Sequence, residues 1–216
     1  MRSRPQNDRA RPRPPNVTTR RLEAFSDAVF AIAITLLALD LQVPELSPVT
    51  PNALAADLAA KWPTCLSFLL SFVTLLIAWI YHHRLLEAAK HAGTGLLLIN
   101  GLLLLVVAAV PFPTALLGAY LTTPAASVVA AIYAGYIGVL NLTYNLLWWV
   151  VVRQQRTEHR EGWRPPKSMI LSYLGFPCYV VAVAIAFWSP VLTLVICGAL
   201  WVVWTIMAPM LSEEER

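Results

Sequence analysis

The sequence is poor in charged residues: Asp, Glu, Lys and Arg make up only 13% of its 216 residues, whereas 58% are hydrophobic. Soluble domains carry about 25% charged and about 45–50% apolar residues. The sequence also lacks a polar stretch long enough to form a separate folded domain. These absences exclude an ordinary soluble protein and indicate that a lipid bilayer is the solvent of this chain.

Cysteine is scarce as well, which limits the chemistry that the chain can support. Cys65, Cys178 and Cys197 lie inside apolar segments and have no metal-ligand spacing, so neither a disulfide framework nor a zinc site is predicted. No nucleotide-binding loop and no nucleophile elbow occurs. We therefore expect no enzymatic activity, no cofactor and no resident metal.

Long apolar runs are what the sequence has in abundance. A helix needs roughly 20 mostly apolar residues to cross about 30 Å of hydrocarbon, and lipid tolerates no unpaired backbone groups, so each run is expected to be helical. Six runs meet this length: residues 25–43, 62–81, 95–117, 125–152, 169–188 and 191–211. The sequence predicts an all-α membrane protein with six transmembrane helices.

Basic residues orient these spans. Fifteen of the 16 Lys and Arg residues fall on the side that a six-span count assigns to both chain ends, and Lys61 is the exception. The positive-inside rule then places both termini in the cytoplasm, with the plasma membrane as the expected location. The net charge of +4 is explained by this orientation, so no nucleic-acid partner is expected.

The expected domain plan follows from the same features. Residues 1–19 are rich in Arg and Pro and have little to bury, so they are predicted to form a disordered basic cytoplasmic tail. Residues 20–211 form the six-helix membrane domain, and residues 212–216 form a short cytoplasmic tail.

The first span contains two carboxylates. Asp27 and Asp40 bracket a stretch in which Thr35 is the one polar residue, and an ionisable group inside a span costs about 2.5–3.5 kcal/mol unless it has a partner or faces water. Arg21 lies about 240° round the helix from Asp27, so the partner is expected on another helix or another subunit. Candidates at the same depth are His82, His83 and Arg84. The residues leave two alternatives open: Asp27 could form a buried structural ion pair, and Asp40 could simply be solvated.

Four residues of the same span share one face. Ile32, Thr35, Leu36 and Leu39 fall within a narrow stripe whose spacing is typical of a helix–helix seam. Ordinary packing and the lining of a pore both fit this pattern, and from spacing alone packing is favoured.

Two motifs resemble the transmembrane protein 175 family of potassium channels. The start of the first span reads Arg21-x-x-x-Phe25-Ser26-Asp27 and continues AVFAIAITLLALDLQVP, which is similar to the prokaryotic branch. The segment WIYHHRL, residues 79–85, is also similar to that branch. The signature occurs once in this chain, whereas the animal lysosomal members carry two repeats and work as dimers.

The resemblance implies a homotetramer whose first helices line a potassium-permeable pore. Ile32 would form the main apolar constriction, Leu36 and Leu39 would form further rings outward, and Thr35 would contribute a hydroxyl. Asp40 would lie at the outer mouth. The family's assembly network would comprise Arg21, Phe25, Ser26, Asp27 and a span-two histidine, either His82 or His83.

A secondary transporter, with proton coupling as one version, is the competing hypothesis. Transporters usually show internal repeats, broken helices and polar groups near the membrane midplane. The first span has no Gly or Pro break, and its motif has no second copy. Amides elsewhere, at Asn100, Asn141 and Asn145, are expected to bond between helices rather than to bind substrate.

Overall fold

The computed structural model describes the backbone of residues 17–43, 49–89, 91–158 and 167–213, and the side chains of residues 19–43, 49–89, 91–154 and 173–206. Within these ranges every regular element is a helix. The helices are α1 Val17–Leu36, continued by a 3₁₀ turn Leu37–Asp40, α2 Pro51–Ala60, α3 Trp62–Ala88, α4 Thr94–Ala109, α5 Pro111–Tyr120, α6 Ala126–Glu158, α7 Lys167–Ala186 and α8 Pro190–Glu213. Helix α1 begins inside the segment predicted as the N-terminal tail, and most of both predicted tails lies outside the described residues.

The all-helical membrane architecture is confirmed. Four helical stretches of the described chain are long and apolar enough to cross a bilayer: Thr19–Asp40, Trp62–Ala88, Thr94–Tyr120 and Ala126–Gln154. Two further apolar helices are shorter over their described side chains, Tyr173–Ala186 and Pro190–Ile206. The count of six spans therefore stays a prediction.

Helix α2 occupies the connection between the first two long helices, and the span count does not include it. Thr50 caps its N-terminus, because Thr50 Oγ1 accepts a 3.2 Å hydrogen bond from the Ala53 N–H. None of its ten residues is buried in the protomer. At its C-terminal end, the Lys61 ammonium donates to the Gln42 carbonyl at 2.8 Å, which ties the start of α3 to the end of the first span.

The third span is interrupted where α4 meets α5. Pro111 and Pro113 have no N–H, so the helical hydrogen-bond ladder fails there. The Val110 N–H bonds to the Val107 carbonyl at 3.2 Å, as in a tighter 3₁₀ turn. The Tyr136 hydroxyl donates to the Val106 carbonyl at 2.8 Å, so this carbonyl has a partner on α6. This interruption was not predicted from the sequence.

Two clusters of buried apolar side chains hold the helices together. The first joins α1, α3, α4 and α6 and includes Phe30, Leu75, Leu103 and Leu147. The second joins α3 to α5, α6, α7 and α8 and includes Leu70, Leu117, Tyr133, Tyr179 and Cys197. Helix α1 packs against α3 and α4 at the edge of the first cluster, so one side of α1 remains open.

Candidate pore helix and its anchors

Helix α1 has one buried face and one exposed face. Ser26, Phe30, Ala33 and Leu37 are at most 1% exposed, and their spacing of four, three and four residues defines a single helical face. This face packs against α3 and α4. It fixes the rotation of α1 about its own axis within the protomer.

The predicted stripe lies on the exposed face. Ile32 is 58% exposed, Leu36 41% and Leu39 69%, and Thr35 is exposed beside them. The Thr35 hydroxyl donates to the Ile32 carbonyl at 2.8 Å, so its oxygen lone pairs remain available outside the helix. The structure thus brings the four residues together on a surface that the protomer itself does not cover.

The 3₁₀ turn reorients the end of this stripe. Residues three apart eclipse each other in 3₁₀ geometry, so Leu39 aligns with Leu36. By the same geometry Asp40 aligns with Leu37, which is fully buried. With about 120° per residue after Leu36, Asp40 lies roughly 160° round from Ile32, compared with about 80° in a continuous α-helix. Asp40 is half-buried and lies on the side of α1 that packs against the protomer.

A chain of buried hydrogen bonds attaches α1 to α3 and α4. The amide nitrogen of Asn100 donates to Ser26 Oγ at 3.0 Å, and Ser26 Oγ donates to the Leu22 carbonyl at 2.9 Å. The amide oxygen of Asn100 lies 2.7 Å from His82 Nε2, so His82 Nε2 is the protonated nitrogen that donates to it. The three side chains that form this series of hydrogen bonds, Ser26, Asn100 and His82, are at most 1% exposed. Asn100 therefore bonds between helices, as expected.

Asp27 has a neutral partner in the described chain. The indole N–H of Trp79 on α3 donates to Asp27 Oδ1 at 2.9 Å. The partner lies on another helix, as expected, but it is an indole and not one of the predicted histidines or the predicted arginine. Trp79 belongs to the second motif, yet nothing in the spacing distinguishes a tryptophan that donates a hydrogen bond from one that only packs.

His83 has a different environment from His82. Its Nδ1 lies 2.8 Å from Glu23 Oε1 on α1, and its Nε2 lies 3.7 Å from Glu87 Oε1 on α3. The His83 ring also stacks on Trp79, with 6.1 Å between ring centroids and 26° between ring planes. The sequence did not show which of the two histidines joins the network of Ser26. His82 bonds to Asn100, which bonds to Ser26, whereas His83 contacts Glu23.

Arg21 and Phe25 do not join these contacts. Both are exposed, Phe25 by 63%, and the described residues of the same chain offer Arg21 no ion pair or hydrogen bond. Their predicted role in holding subunits together stays a prediction. No group of three or more His, Cys, Asp or Glu side chains within the described ranges could hold a metal ion.

The fold and these contacts define a polytopic helical membrane protein whose first helix is anchored on one face and open on the other. The family model described as "Endosomal/lysosomal potassium channel TMEM175" matches residues 21–111, which include both motifs. The human relative named "Endosomal/lysosomal proton channel TMEM175" is 29% identical over 177 residues, which cover 78% of this chain and 35% of the human protein.

Two bacterial relatives match over nearly their whole lengths. A protein of Chamaesiphon minutus named as a potassium channel is 39% identical over 189 residues, 87% of this chain and 93% of the relative. A Streptomyces collinus protein named as a potassium channel is also 39% identical, over 83% of this chain and 88% of the relative. The chain belongs to the TMEM175 family.

A solved structure agrees with this assignment. The crystal structure of a lysosomal potassium-selective channel TMEM175 homolog from Chamaesiphon minutus is 36% identical and superposes with a TM-score of 0.79. The match covers 89% of this chain and 99% of the homolog. The helical architecture of this protein is therefore that of the family.

Proposed function

We propose that the protein is a potassium-permeable cation channel formed by four copies, with a hydrophobic constriction made by side chains of α1. The observation that carries the proposal is the exposed apolar stripe of Ile32, Leu36 and Leu39 opposite a face that is buried almost completely. Relatives named as potassium channels match most of the chain.

Four copies related by a four-fold axis would close into a ring without free edges. Each α1 would then turn Ile32, Leu36 and Leu39 toward the axis, with Thr35 as the polar member of the lining. Ile32 would make the narrowest ring. Potassium sheds its hydration shell more easily than sodium, so a narrow apolar ring favours potassium modestly without coordinating it, and such a ring can also gate by dewetting.

The membrane arrangement is part of the same proposal. Six spans, formed by α1, α3, the pair α4–α5, α6, α7 and α8, put both termini in the cytoplasm and the protein in the plasma membrane. The anchors described above then lie at the inner end of α1. The residues that would act in assembly are Arg21, Phe25, Ser26, Asp27, His82 and His83. Asp40 would lie at the level of the outer mouth, with its carboxylate turned toward its own protomer and away from the pore axis.

Single-channel recording from purified protein in liposomes tests the proposal. We expect unitary steps that carry potassium, and Ile32→Asn should enlarge them and reduce the preference for potassium over sodium. Val195→Asn on α8 is the matched control, because Val195 is also 58% exposed but lies on a helix away from α1. If both variants behave like the wild type, Ile32 does not line the conduction path.

A secondary transporter remains the second candidate because of one feature. The third span is interrupted at Val110, and next to it Ser71 Oγ lies 2.6 Å from Thr114 Oγ1 and 3.2 Å from the Tyr133 hydroxyl. Broken helices beside buried polar groups are typical of transporters. Unitary currents far above carrier turnover would exclude this candidate, and reversal potentials measured with separate potassium and proton gradients identify the permeant ion.

A further inference from the structure

The open face of α1 continues inward beyond the stripe. In the continuous helix Val17–Leu36, Phe25 precedes Ile32 by seven residues and Arg21 precedes it by eleven. At about 100° per residue, both side chains lie about 20° from Ile32 around the helix axis. Phe25 is 63% exposed, and Arg21 is exposed as well. The three side chains therefore follow one line along the side of α1 that the protomer does not cover.

The residues that follow Phe25 fix the direction in which its side chain points. Ser26 is fully buried and accepts a 3.0 Å hydrogen bond from Asn100 on α4. The Asp27 carboxylate accepts the indole N–H of Trp79 on α3 at 2.9 Å. Ser26 and Asp27 stand about 100° and 200° round the helix from Phe25. Helix α1 therefore cannot turn Phe25 onto α3 or α4 without breaking both contacts.

Bulky and small side chains alternate along this line. Ala28 is exposed and lies between Phe25 and Ile32, about 40° from Ile32 around the axis. Arg21 lies roughly 6 Å inward of Phe25, and its guanidinium, which stays charged in proteins, marks the aqueous end of the line. Four copies around an axis would form, from the cytoplasm outward, a charged entrance, a phenyl ring, a wider chamber and the Ile32 ring.

We propose that Phe25 forms an inner gate, in which four phenyl groups close the cytoplasmic end of the pore roughly 10 Å inward of Ile32. The inference rests on the proposed tetramer, which supplies the other three rings. Aromatic rings attract each other edge to face, and an apolar constriction stops conduction when it dewets. The same contacts join the inner ends of the four α1 helices, which is the assembly role that the family resemblance implies for Phe25.

Unitary recording from Phe25→Ala tests the gate. An aromatic pair changes an equilibrium constant about two- to thirteenfold, so loss of the phenyl groups should raise the open probability by about this factor. The preference for potassium over sodium should stay that of the wild type, because Ile32 is unchanged. Phe25→Leu keeps an apolar ring of smaller bulk, and its open probability should lie between those of the wild type and Phe25→Ala.

Ile206→Ala is the matched control. Ile206 is 56% exposed on α8, which packs against α3, α6 and α7. The Tyr81 hydroxyl donates to the Trp204 carbonyl, and Tyr81 lies between Trp79 and His83, the α3 residues that contact α1 on either side of Phe25. Ile206 therefore lies near the depth of Phe25 but away from α1, and Ile206→Ala should keep the wild-type open probability.

Cross-linking gives a second readout that needs no conduction. Phe25→Cys, Ile32→Cys and Ile206→Cys are treated with a short bifunctional thiol reagent and separated on denaturing gels, with the wild type as background because Cys65 is exposed. The first two variants should yield cross-linked dimers above this background, and Ile206→Cys should not.

Several results would overturn the gate. One is cross-linking of Ile32→Cys without cross-linking of Phe25→Cys, which leaves the tetramer in place but puts Phe25 away from the axis. Another is a wild type that never closes, or a Phe25→Ala channel with the wild-type open probability. A loss of potassium preference in Phe25→Ala would assign ion selection to Phe25 instead of gating. Absence of cross-linking from both pore variants would overturn the proposed tetramer and the gate with it.

Discussion

Replacing Asn100 by leucine tests whether the buried hydrogen-bond chain fixes α1 to the rest of the protomer. Leucine has a similar volume but no amide, so the change removes the 2.7 Å contact with His82 and the 3.0 Å contact with Ser26. Ser26 keeps its bond to the Leu22 carbonyl. The change leaves His82 without a hydrogen-bond partner among the described residues, because its Nδ1 has no such partner either.

The size of the effect follows from these contacts. A buried donor left without a partner costs about 1–3 kcal/mol. Polar contacts between helices in membranes average about 0.6 kcal/mol and reach about 1.7 kcal/mol, because unfolded segments in the bilayer also find partners. We therefore expect Asn100→Leu to destabilise each protomer by about 1–2 kcal/mol, and Tm to fall by about 2–8 °C for a chain of this length.

The assay is thermal unfolding of purified protein in detergent, followed by size-exclusion chromatography to detect loss of assembly. His82→Leu combined with Asn100→Leu provides the control, because replacing both partners by apolar groups removes the unsatisfied donor. The double variant should lose less stability than the sum of the two single variants. An unchanged Tm in Asn100→Leu would refute the claim that Asn100 anchors α1. Strict additivity in the double variant would show that the contact between His82 and Asn100 does not couple α3 to α4.

Four further predictions follow. Ile32→Asn should raise cation current and weaken potassium preference, because an amide can hydrate sodium, and unchanged selectivity would count against a pore position. Asp27→Asn should lower stability by only about 0.5–1.5 kcal/mol, because the asparagine oxygen can still accept the Trp79 N–H and only the charge is lost. A loss of about 3–5 kcal/mol, seen as monomers on size exclusion, would mean that a cation from another subunit also pairs with Asp27. Asp40→Asn should leave conductance unchanged at low and high potassium, and a drop confined to low potassium would place its carboxylate at the entrance. Gly118→Val should destabilise the protein by about 1–3 kcal/mol in thermal unfolding. A Cβ at this position would lie 2.9 Å from Ser67 Oγ and 3.1 Å from Thr64 Cα, both on α3. A wild-type Tm would show that α3 and α5 can separate at no cost.

Composition and apolar periodicity were sufficient to predict the class of fold, because a bilayer restricts the choices to helices of a known length. The stripe on α1 was also predictable, since Ile32 and Leu36 follow a regular helical repeat. Periodicity could not reveal the change to 3₁₀ geometry at Leu37, which shifts Asp40 away from the position expected in a continuous helix. This change depends on how the end of α1 packs, and local spacing does not contain that information.

The anchoring partners were harder to predict for a different reason. Ser26 and His82 belong to the motifs, but Asn100 connects them from a helix that begins only at Thr94, after the loop that follows α3. A single sequence contains no signal that pairs residues 74 positions apart. Trp79 was visible in the second motif, yet its hydrogen bond to Asp27 depends on the antiparallel alignment of α1 with α3, which only the packed structure defines.

The position of the anchors bears on how an apolar constriction can select ions at all. A ring that does not coordinate the ion discriminates only by its radius, so the backbone that carries Ile32 must be held at a fixed distance from the axis. Ser26 precedes Ile32 by six residues, roughly 9 Å along the helix, and it is bonded to Asn100 in a fully buried site. Toward the other end of the stripe Leu37 is buried, and beyond Leu39 the Gln42 carbonyl accepts a hydrogen bond from Lys61. The proposed constriction therefore lies between two attachments to the same protomer. A substitution that weakens either attachment should alter ion selectivity even when the subunits still assemble.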